Sequence, residues 1–376
     1  MIYLDSHSST PIDAKVLYAM MPYLTDQYAN PNSSHAFGLA AREAVEQARA
    51  TIAQHLNARL EQIYFTSGAT ESNNTFIRGW YERPQKSGSH LLIFTSTIEH
   101  PSILKCAEWV LNHQGCHNQI HVDAQGDLSD FEQVILGAKG GCSYACSIHA
   151  ANNEIGTTYD LEYLGRKCKE LGVLFHTDAT QAIGKVRLDV QAQNIDALSF
   201  SGHKINGPKG IGVLFLRDPD LIEPLLLGGL QEHIRSGTLN VPGIVGLAKA
   251  LDLYAAVDWS KIGKLRDRLL ELISAGLPDV IVNGGMINRL PNNLNISIPG
   301  IKSEAFIKGL GDIIVSSGSA CKSGNSQVSD VLLSIGSKYP ECAIRFGLDK
   351  NTTMDEIEYA ANRIVGVANT IRTSRK

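Results

Sequence analysis

Residues suited to chemistry fall in short blocks, each directly after an apolar run. Ser67-Gly68-Ala69-Thr70-Glu71-Ser72 is the first. Small residues let backbone N–H groups close on an anion, and a helix N-terminus favours negative charge. The same block also suits an ordinary helix cap with Thr at the cap position. Ser201-Gly202-His203-Lys204, followed by Asn206-Gly207-Pro208-Lys209-Gly210, puts a lysine straight after a buried run. Burying a lysine is costly, and one held near a site can form a Schiff base with a carbonyl. Lys209 reads as a surface lysine in a Gly-rich turn. Asp178 follows Val173-Leu174-Phe175, with Gln181 one helical turn on. A carboxylate there either caps a helix or needs a cationic partner. In Ser316-Ser317-Gly318-Ser319-Ala320-Cys321-Lys322-Ser323-Gly324-Asn325-Ser326 a cysteine stands among residues too polar for a core. This stretch should be a mobile loop, with Lys322 lending Cys321 thiolate character.

The first three blocks together supply a phosphate cradle, an aldehyde-capturing amine and a pyridinium counter-ion. That set is what pyridoxal phosphate chemistry asks of a protein. Neither G-x-G-x-x-G nor a Walker lysine pattern accompanies it, which argues against dinucleotide or ATP use. Cys142, Cys146 and His149 have a loose C-x3-C-x2-H spacing with no second ligand pair, so they read as core thiols rather than a metal site.

The elements that must position these blocks follow from the pattern of the chain. Its 376 residues are 43% hydrophobic and 19% charged, which excludes disorder by composition. A net charge of -4 argues against a nucleic-acid-coating protein. No apolar run is long enough to span a membrane. Met1-Ile2-Tyr3-Leu4-Asp5 has no basic stretch followed by an apolar one, so no signal peptide is expected. Seven scattered cysteines, an odd number, point to reduced thiols in a cytoplasm. Short buried runs at Ile63-Tyr64-Phe65, Leu91-Leu92-Ile93-Phe94, Val173-Leu174-Phe175 and Ala197-Leu198-Ser199-Phe200 alternate with helical stretches. That is an α/β fold with a mainly parallel sheet, and ligands bind at the carboxyl ends of such strands. Val241 to Ile273 reads as helix with a break near Asp258-Trp259, and Met354 to Arg372 as a C-terminal helix. Strand-like segments lie at Val280 to Gly285 and Asn293 to Ile298. The expected division is a large domain of residues 14–256 and a smaller α+β domain of residues 1–13 with 257–376.

Taken in order, the motifs resemble the group I cysteine desulfurases of the NifS/IscS type, within the class-V aminotransferases. The matching blocks are Ser67-Gly68-Ala69-Thr70-Glu71-Ser72-Asn73-Asn74, Glu99-His100, Asn152-Asn153-Glu154-Ile155-Gly156, Asp178-Ala179-Thr180-Gln181, Ser201-Gly202-His203-Lys204, Arg235-Ser236-Gly237-Thr238 and Ser316-Ser317-Gly318-Ser319-Ala320-Cys321. The resemblance implies a fold type I, pyridoxal-5'-phosphate-dependent homodimer that converts L-cysteine to L-alanine. It implies that Lys204 forms the Schiff base and moves the Cα proton, that Asp178 holds the ring nitrogen, and that Gln181 binds the ring hydroxyl. His100 would stack on the ring. Ala69, Thr70, Ser201 and His203 would hold the phosphate, with Thr238 reaching across from the other subunit. Asn153 and Arg345 would bind the substrate carboxylate, and Cys321 would take the sulfur as a persulfide for an acceptor protein, such as an iron–sulfur scaffold or another thiolation protein.

One block departs from the family pattern Y-L-D-x-x-A-T-T-P: here it is Tyr3-Leu4-Asp5-Ser6-His7-Ser8-Ser9-Thr10-Pro11. The arm should lie near the pocket and bear on substrate handling. Within the same superfamily a selenocysteine lyase or another β-lyase is the alternative, and such an enzyme would not need a loop cysteine. From another class the alternative is a non-catalytic interaction protein, which predicts decay of Lys204, Asp178 or His100.

Overall fold

The computed structural model describes residues 1–83, 90–137, 142–229, 231–317 and 328–374. In chain order the strands are β1 (Ile2–Tyr3), β2 (Ile63–Thr66), β3 (His90–Ser96), β4 (Cys116–Ile120), β5 (Cys142–Ser147), β6 (Leu174–Asp178), β7 (Ala197–Ser201), β8 (Gly212–Leu216), β9 (Ile281–Val282), β10 (Asn293–Ser297), β11 (Ile313–Ile314) and β12 (Ala343–Gly347). The helices are α1 (Ala14–Thr25), α2 (Ala36–Leu56), α3 (Ala69–Glu82), α4 (Pro101–Asn112), α5 (Phe131–Leu136), α6 (Leu161–Glu170), α7 (Val241–Ala255), α8 (Trp259–Gly276), α9 (Ser303–Leu310), α10 (Asp330–Ser334) and α11 (Met354–Thr373).

A seven-stranded sheet in the order β2-β8-β7-β6-β5-β3-β4 forms the centre. Its pairs are parallel from β7 through to β4, and β8 runs antiparallel to both neighbours. The strands are apolar on both faces because both are covered. On one face Tyr64, Leu91, Ile93, Ala145, Ala197, Leu214 and Leu216 pack under α3 and α4 with Phe76, Trp80, Ile103 and Val110. On the other face Phe65, Phe94, Cys146, Leu198, Phe200, Val213 and Phe215 join a core with Val45, Ile52, Leu247 and Leu251 of α2 and α7. Successive side chains of a strand point to opposite faces, so an unbroken apolar run is what a doubly covered strand requires.

The helical stretch after Val241 does break where expected: α7 stops at Ala255, and Asp258 caps α8 by accepting from the Ser260 N–H at 3.2 Å. A second sheet, β12-β10-β9, is antiparallel. The C-terminal helix α11 starts on a reciprocal cap between Thr353 and Glu356. Asp178 does not begin a helix: residues 180–185 form turns, so Gln181 lies on a loop rather than one helical turn on. Asp178 Oδ1 accepts the Thr180 N–H at 2.9 Å and closes that turn locally, which competes with helix formation.

The N-terminal arm is a strap between the two sheets. On one side the Ser6 N–H donates to the Gly347 carbonyl at 3.0 Å, and the Gly347 N–H donates to that of Leu4 at 2.7 Å. A Cβ at Gly347 would meet the His7 backbone N and ring Cδ2 at 2.7 Å, so only glycine admits the arm there. On the other side Thr10 donates through both its N–H and its hydroxyl to the His203 carbonyl, and the Asp13 N–H donates to that of Asn206.

Candidate active site

The carboxyl ends of the sheet, the strap and β12 enclose a cavity of about 640 Å³. Ala69, Thr70, His100, Asn153, Asp178, Gln181, Ser201, His203, Lys204 and Arg345 all line it. Thr238 does not; it is exposed on the surface of its own chain. Cys321 lies outside the described residues, and so does most of its block.

The β2–α3 turn is built for close approach. Gly68 caps α3, not Thr70 as the alternative reading had it; Thr70 sits inside the first turn. A Cβ on Gly212 of β8 would stand 2.5 Å from Gly68 Cα, so glycine at 212 lets helix and strand touch. Ser72 Oγ, 2.8 Å from Thr66 Oγ1, donates to the Val213 carbonyl at 3.0 Å and pins the turn down. The first-turn N–H groups of a helix have no partner within it, and here Ala69 and Thr70 line the cavity. Glu71 would repel an anion, but Arg235 Nε donates to it at 2.9 Å and the Ser67 N–H at 2.9 Å.

Asp178 is buried at 6% exposure. Burial alone would raise its pKa. The nearby charge of His100 and the hydrogen bonds from Thr180 and Asn73, the latter at 2.8 Å, outweigh burial and hold the carboxyl below its ordinary value. A buried carboxylate kept ionised is a ready partner for a cation. Neighbouring His176 is buried too, between Ser147 and Ser199 at 2.8 and 3.0 Å, and its pKa is pushed down to about 4 by burial.

His100 caps α4: its Nδ1 accepts the Ser102 N–H at 3.1 Å, which leaves any ring proton on Nε2. Burial lowers its pKa, against the pull of Asp178. His203 is pushed down to about 4 by burial and by the charges of Lys204 and Lys209. Lys209 is exposed, as expected, yet stands at the cavity mouth.

Lys204 follows β7 on a single helical turn, Gly202–Lys204. Its Nζ donates to the carbonyls of His7 and Ser8 at 2.7 and 2.6 Å. Arg345 comes from β12 and is 2% exposed. Of a guanidinium's five donors, both on Nη2 go to Asp5 and Ser8 at 3.0 and 2.7 Å, and one on Nη1 goes to the Asn153 carbonyl at 3.0 Å. Its Nε is buried with no partner among the described residues.

Three residues in or directly behind this wall are given no role by the motifs. His7 lines the cavity with its ring on Gln181. His149, weighed above only as a metal ligand, donates through Nδ1 to buried Glu99 at 3.0 Å and lines the cavity. Asn73 bridges Asp178 and Ser102. Asn73 and Glu99 sit inside family blocks, which is the signal that could have marked them. His7 belongs to the arm that departs from the family block and was expected near the pocket; it does line the cavity, and its contact with Gln181 depends on the strap.

A large, mostly parallel sheet with a lysine after one strand and a carboxylate at the end of its neighbour is the fold type I architecture of pyridoxal-phosphate enzymes. The class-V aminotransferase family matches residues 2–360, and the chain belongs to that family. Within it, the chain stands with the NifS/IscS-type cysteine desulfurases. It is 40% identical over 374 residues to "Cysteine desulfurase IscS" of Anaeromyxobacter sp. (strain Fw109-5), covering 97% of this chain and 91% of that one. A solved "NIFS-LIKE PROTEIN" superposes with a TM-score of 0.89 at 32% identity, covering 98% of this chain and 99% of the other. "SspA in complex with cysteine" superposes with a TM-score of 0.82 at 32% identity, covering 94% and 100%.

Proposed function

We propose that this chain is a pyridoxal-5'-phosphate-dependent cysteine desulfurase that takes sulfur from L-cysteine onto Cys321 and releases L-alanine. The observation that carries the reading is the meeting of Lys204, His100 and an ionised, buried Asp178 in one cavity, with Arg345 arriving from the other sheet.

The residues present fit the cofactor. The Gly68–Gly212 contact seats the α3 N-terminus against the sheet, and Ala69, Thr70, Ser201 and His203, which line the cavity there, would hold the phosphate. Asp178 would pair with the protonated ring nitrogen, Gln181 with the ring hydroxyl, and His100 would stack on the ring. Lys204 would hold the aldehyde carbon. When bound, the cofactor supplies an electron-poor ring that draws charge from the amino acid's α-carbon and weakens its Cβ–S bond.

Lys204 Nζ moves the Cα proton. Asn153 and Arg345 bind the carboxylate, and a two-point hold through Nε and Nη2 displaces Ser8 from Nη2. The Cys321 thiolate attacks the substrate sulfur: an S–S bond forms as Cβ–S breaks, the electron pair goes to the carbon skeleton, and protonation there yields alanine. The persulfide then passes to an acceptor protein, such as an iron–sulfur scaffold or another thiolation protein.

The reading includes a homodimer in which Thr238 completes the partner's phosphate site; its exposure on its own chain supports this. It takes residues 14–256 as the cofactor-binding domain and 1–13 with 257–376 as the second, supported by their separate sheets. It sets the enzyme in the cytoplasm, supported by the free thiols Cys106, Cys116, Cys146, Cys168 and Cys342. No helix among the described residues is long and apolar enough to cross a membrane.

Incubation with L-cysteine should release alanine and leave a persulfide that mass spectrometry maps to Cys321. Cys321→Ser should keep the cofactor and its colour but form no alanine, since a hydroxyl is a far poorer nucleophile. Alanine release by Cys321→Ser at the wild-type rate would sink the reading and favour a β-lyase.

A further inference from the structure

His7 meets the cavity in a way the motif reading does not use. Its ring Nδ1 lies 2.9 Å from Gln181 Oε1, and the Gln181 Nε2–H donates to the His7 carbonyl at 3.0 Å. A backbone carbonyl can only accept, so the amide end facing it must be the NH2 group. That turns Oε1 toward the ring, and an oxygen without hydrogens requires the proton on Nδ1. His7 is 1% exposed, and its Nε2 is buried with no partner among the described residues. A proton on Nε2 would therefore be a buried donor left unsatisfied.

We propose that His7 is a positioning residue: through its ring and its own carbonyl it locks the Gln181 amide with Nε2 as the donor end, so that the remaining Gln181 N–H is the group offered to an acceptor oxygen in the cavity. The inference rests on the proposed function, in which that acceptor is the ring oxygen of the cofactor. Three further observations support it. The same His7 carbonyl, with that of Ser8, holds Lys204 Nζ, so one strap residue organises both groups. Burial and the charges of Lys185, Arg345 and Lys204 keep the ring uncharged, against the pull of its Gln181 hydrogen bond. Lys185 Nζ in turn donates to the Gln181 carbonyl at 2.7 Å, fixing that residue's backbone from behind.

Without a donor at position 7, Oε1 has no partner, and only the bond to the residue-7 carbonyl is left to orient the amide. His7→Leu should shift the absorbance of the bound cofactor and raise its dissociation constant about tenfold, the scale of one lost buried hydrogen bond. His7→Asn, whose side-chain N–H stands where Nδ1–H stood, should restore both properties. His7→Gln, which reaches the Nε2 position instead, should not. Nitrogen-15 NMR of the wild-type protein, with the His7 signal assigned by its loss in His7→Asn, should put the ring proton on Nδ1.

A proton on Nε2 overturns the proposal. So does rescue by His7→Gln without rescue by His7→Asn, or a His7→Leu protein with the wild-type spectrum and affinity. If His7→Leu does not fold, the Asn–Gln contrast and the ring proton still decide. A wild-type protein that takes up no pyridoxal phosphate would refute the proposed function, while the ring proton would still report on the clamp.

Discussion

Arg345 illustrates why a side chain's other partners matter when its role is tested. Truncating it to alanine would leave Asp5, a partner at 3.0 Å, without its counter-charge, and breaking a buried ion pair is strongly destabilising. Lysine keeps the charge but loses the planar fork. Arg345→Lys should raise KM for L-cysteine about ten- to a hundred-fold, from a lost charge-assisted hydrogen bond of ~1.5–3 kcal/mol. The cofactor spectrum should not change. An unaltered KM would assign the carboxylate to another group. His176 makes a different prediction. Its folded pKa, about 4, lies below the ordinary value of 6.5. Between these values the unfolded chain binds a proton that the folded chain does not, so stability falls as pH drops from about 6.5 to about 4 and this residue adds nothing beyond. The loss is about 3 kcal/mol for this one group, and His7, His100 and His203 act in the same direction. Urea unfolding followed against pH should be flatter over that window for His176→Gln than for wild type. Equal slopes would mean that the folded ring is already charged.

Elements place these residues through a few close approaches. The contact between α3 and β8 depends on Gly212, where an added Cβ would also meet the Phe200 carbonyl at 2.7 Å. Backbone on both sides cannot yield as a flexible side chain would. Gly212→Ala should cost about 1–3 kcal/mol, as overpacking does, and should loosen phosphate binding because the α3 N-terminus moves. Denaturation midpoints together with cofactor retained through gel filtration check this; full retention at unchanged stability would show slack in the turn. The strands around the site were legible because double burial writes an uninterrupted apolar run. The turn after Asp178 was not, because a carboxylate that caps a helix and one that closes a tight turn use the same bond to a nearby N–H.

At the scale of the whole molecule, α1, α2 and the segment joining them leave large apolar side chains in solvent. Tyr18 and Tyr28 are each 75% exposed and Phe37 58%. Large apolar side chains so exposed suit an interaction surface, and a second copy of the chain is the partner the proposed function calls for. Light scattering should give twice the 40.8 kDa chain mass. Tyr18→Asp combined with Phe37→Asp should give monomers that hold the cofactor more weakly, since Thr238 would no longer reach the partner's site. A wild-type monomer with full activity would contradict both.

The amino-acid sequence by itself determined four strands of the central sheet and its mainly parallel class, the break between α7 and α8, the C-terminal helix, and the family with its lysine and carboxylate blocks. Each depends on neighbours in sequence: burial period, capping residues, or a block of consecutive residues. Tertiary structure alone decided what surrounds them. Lys204 meets the His7 carbonyl 197 residues away in sequence, and Arg345 meets Asp5 across 340. No local pattern encodes such pairings, because they arise when the strap is drawn between β12 and the lysine turn. Charge is set by both: Asp178 stays ionised through its neighbour Thr180 and through His100 and Asn73 from other elements, while His7, His176 and His203 stay neutral mainly because they are buried.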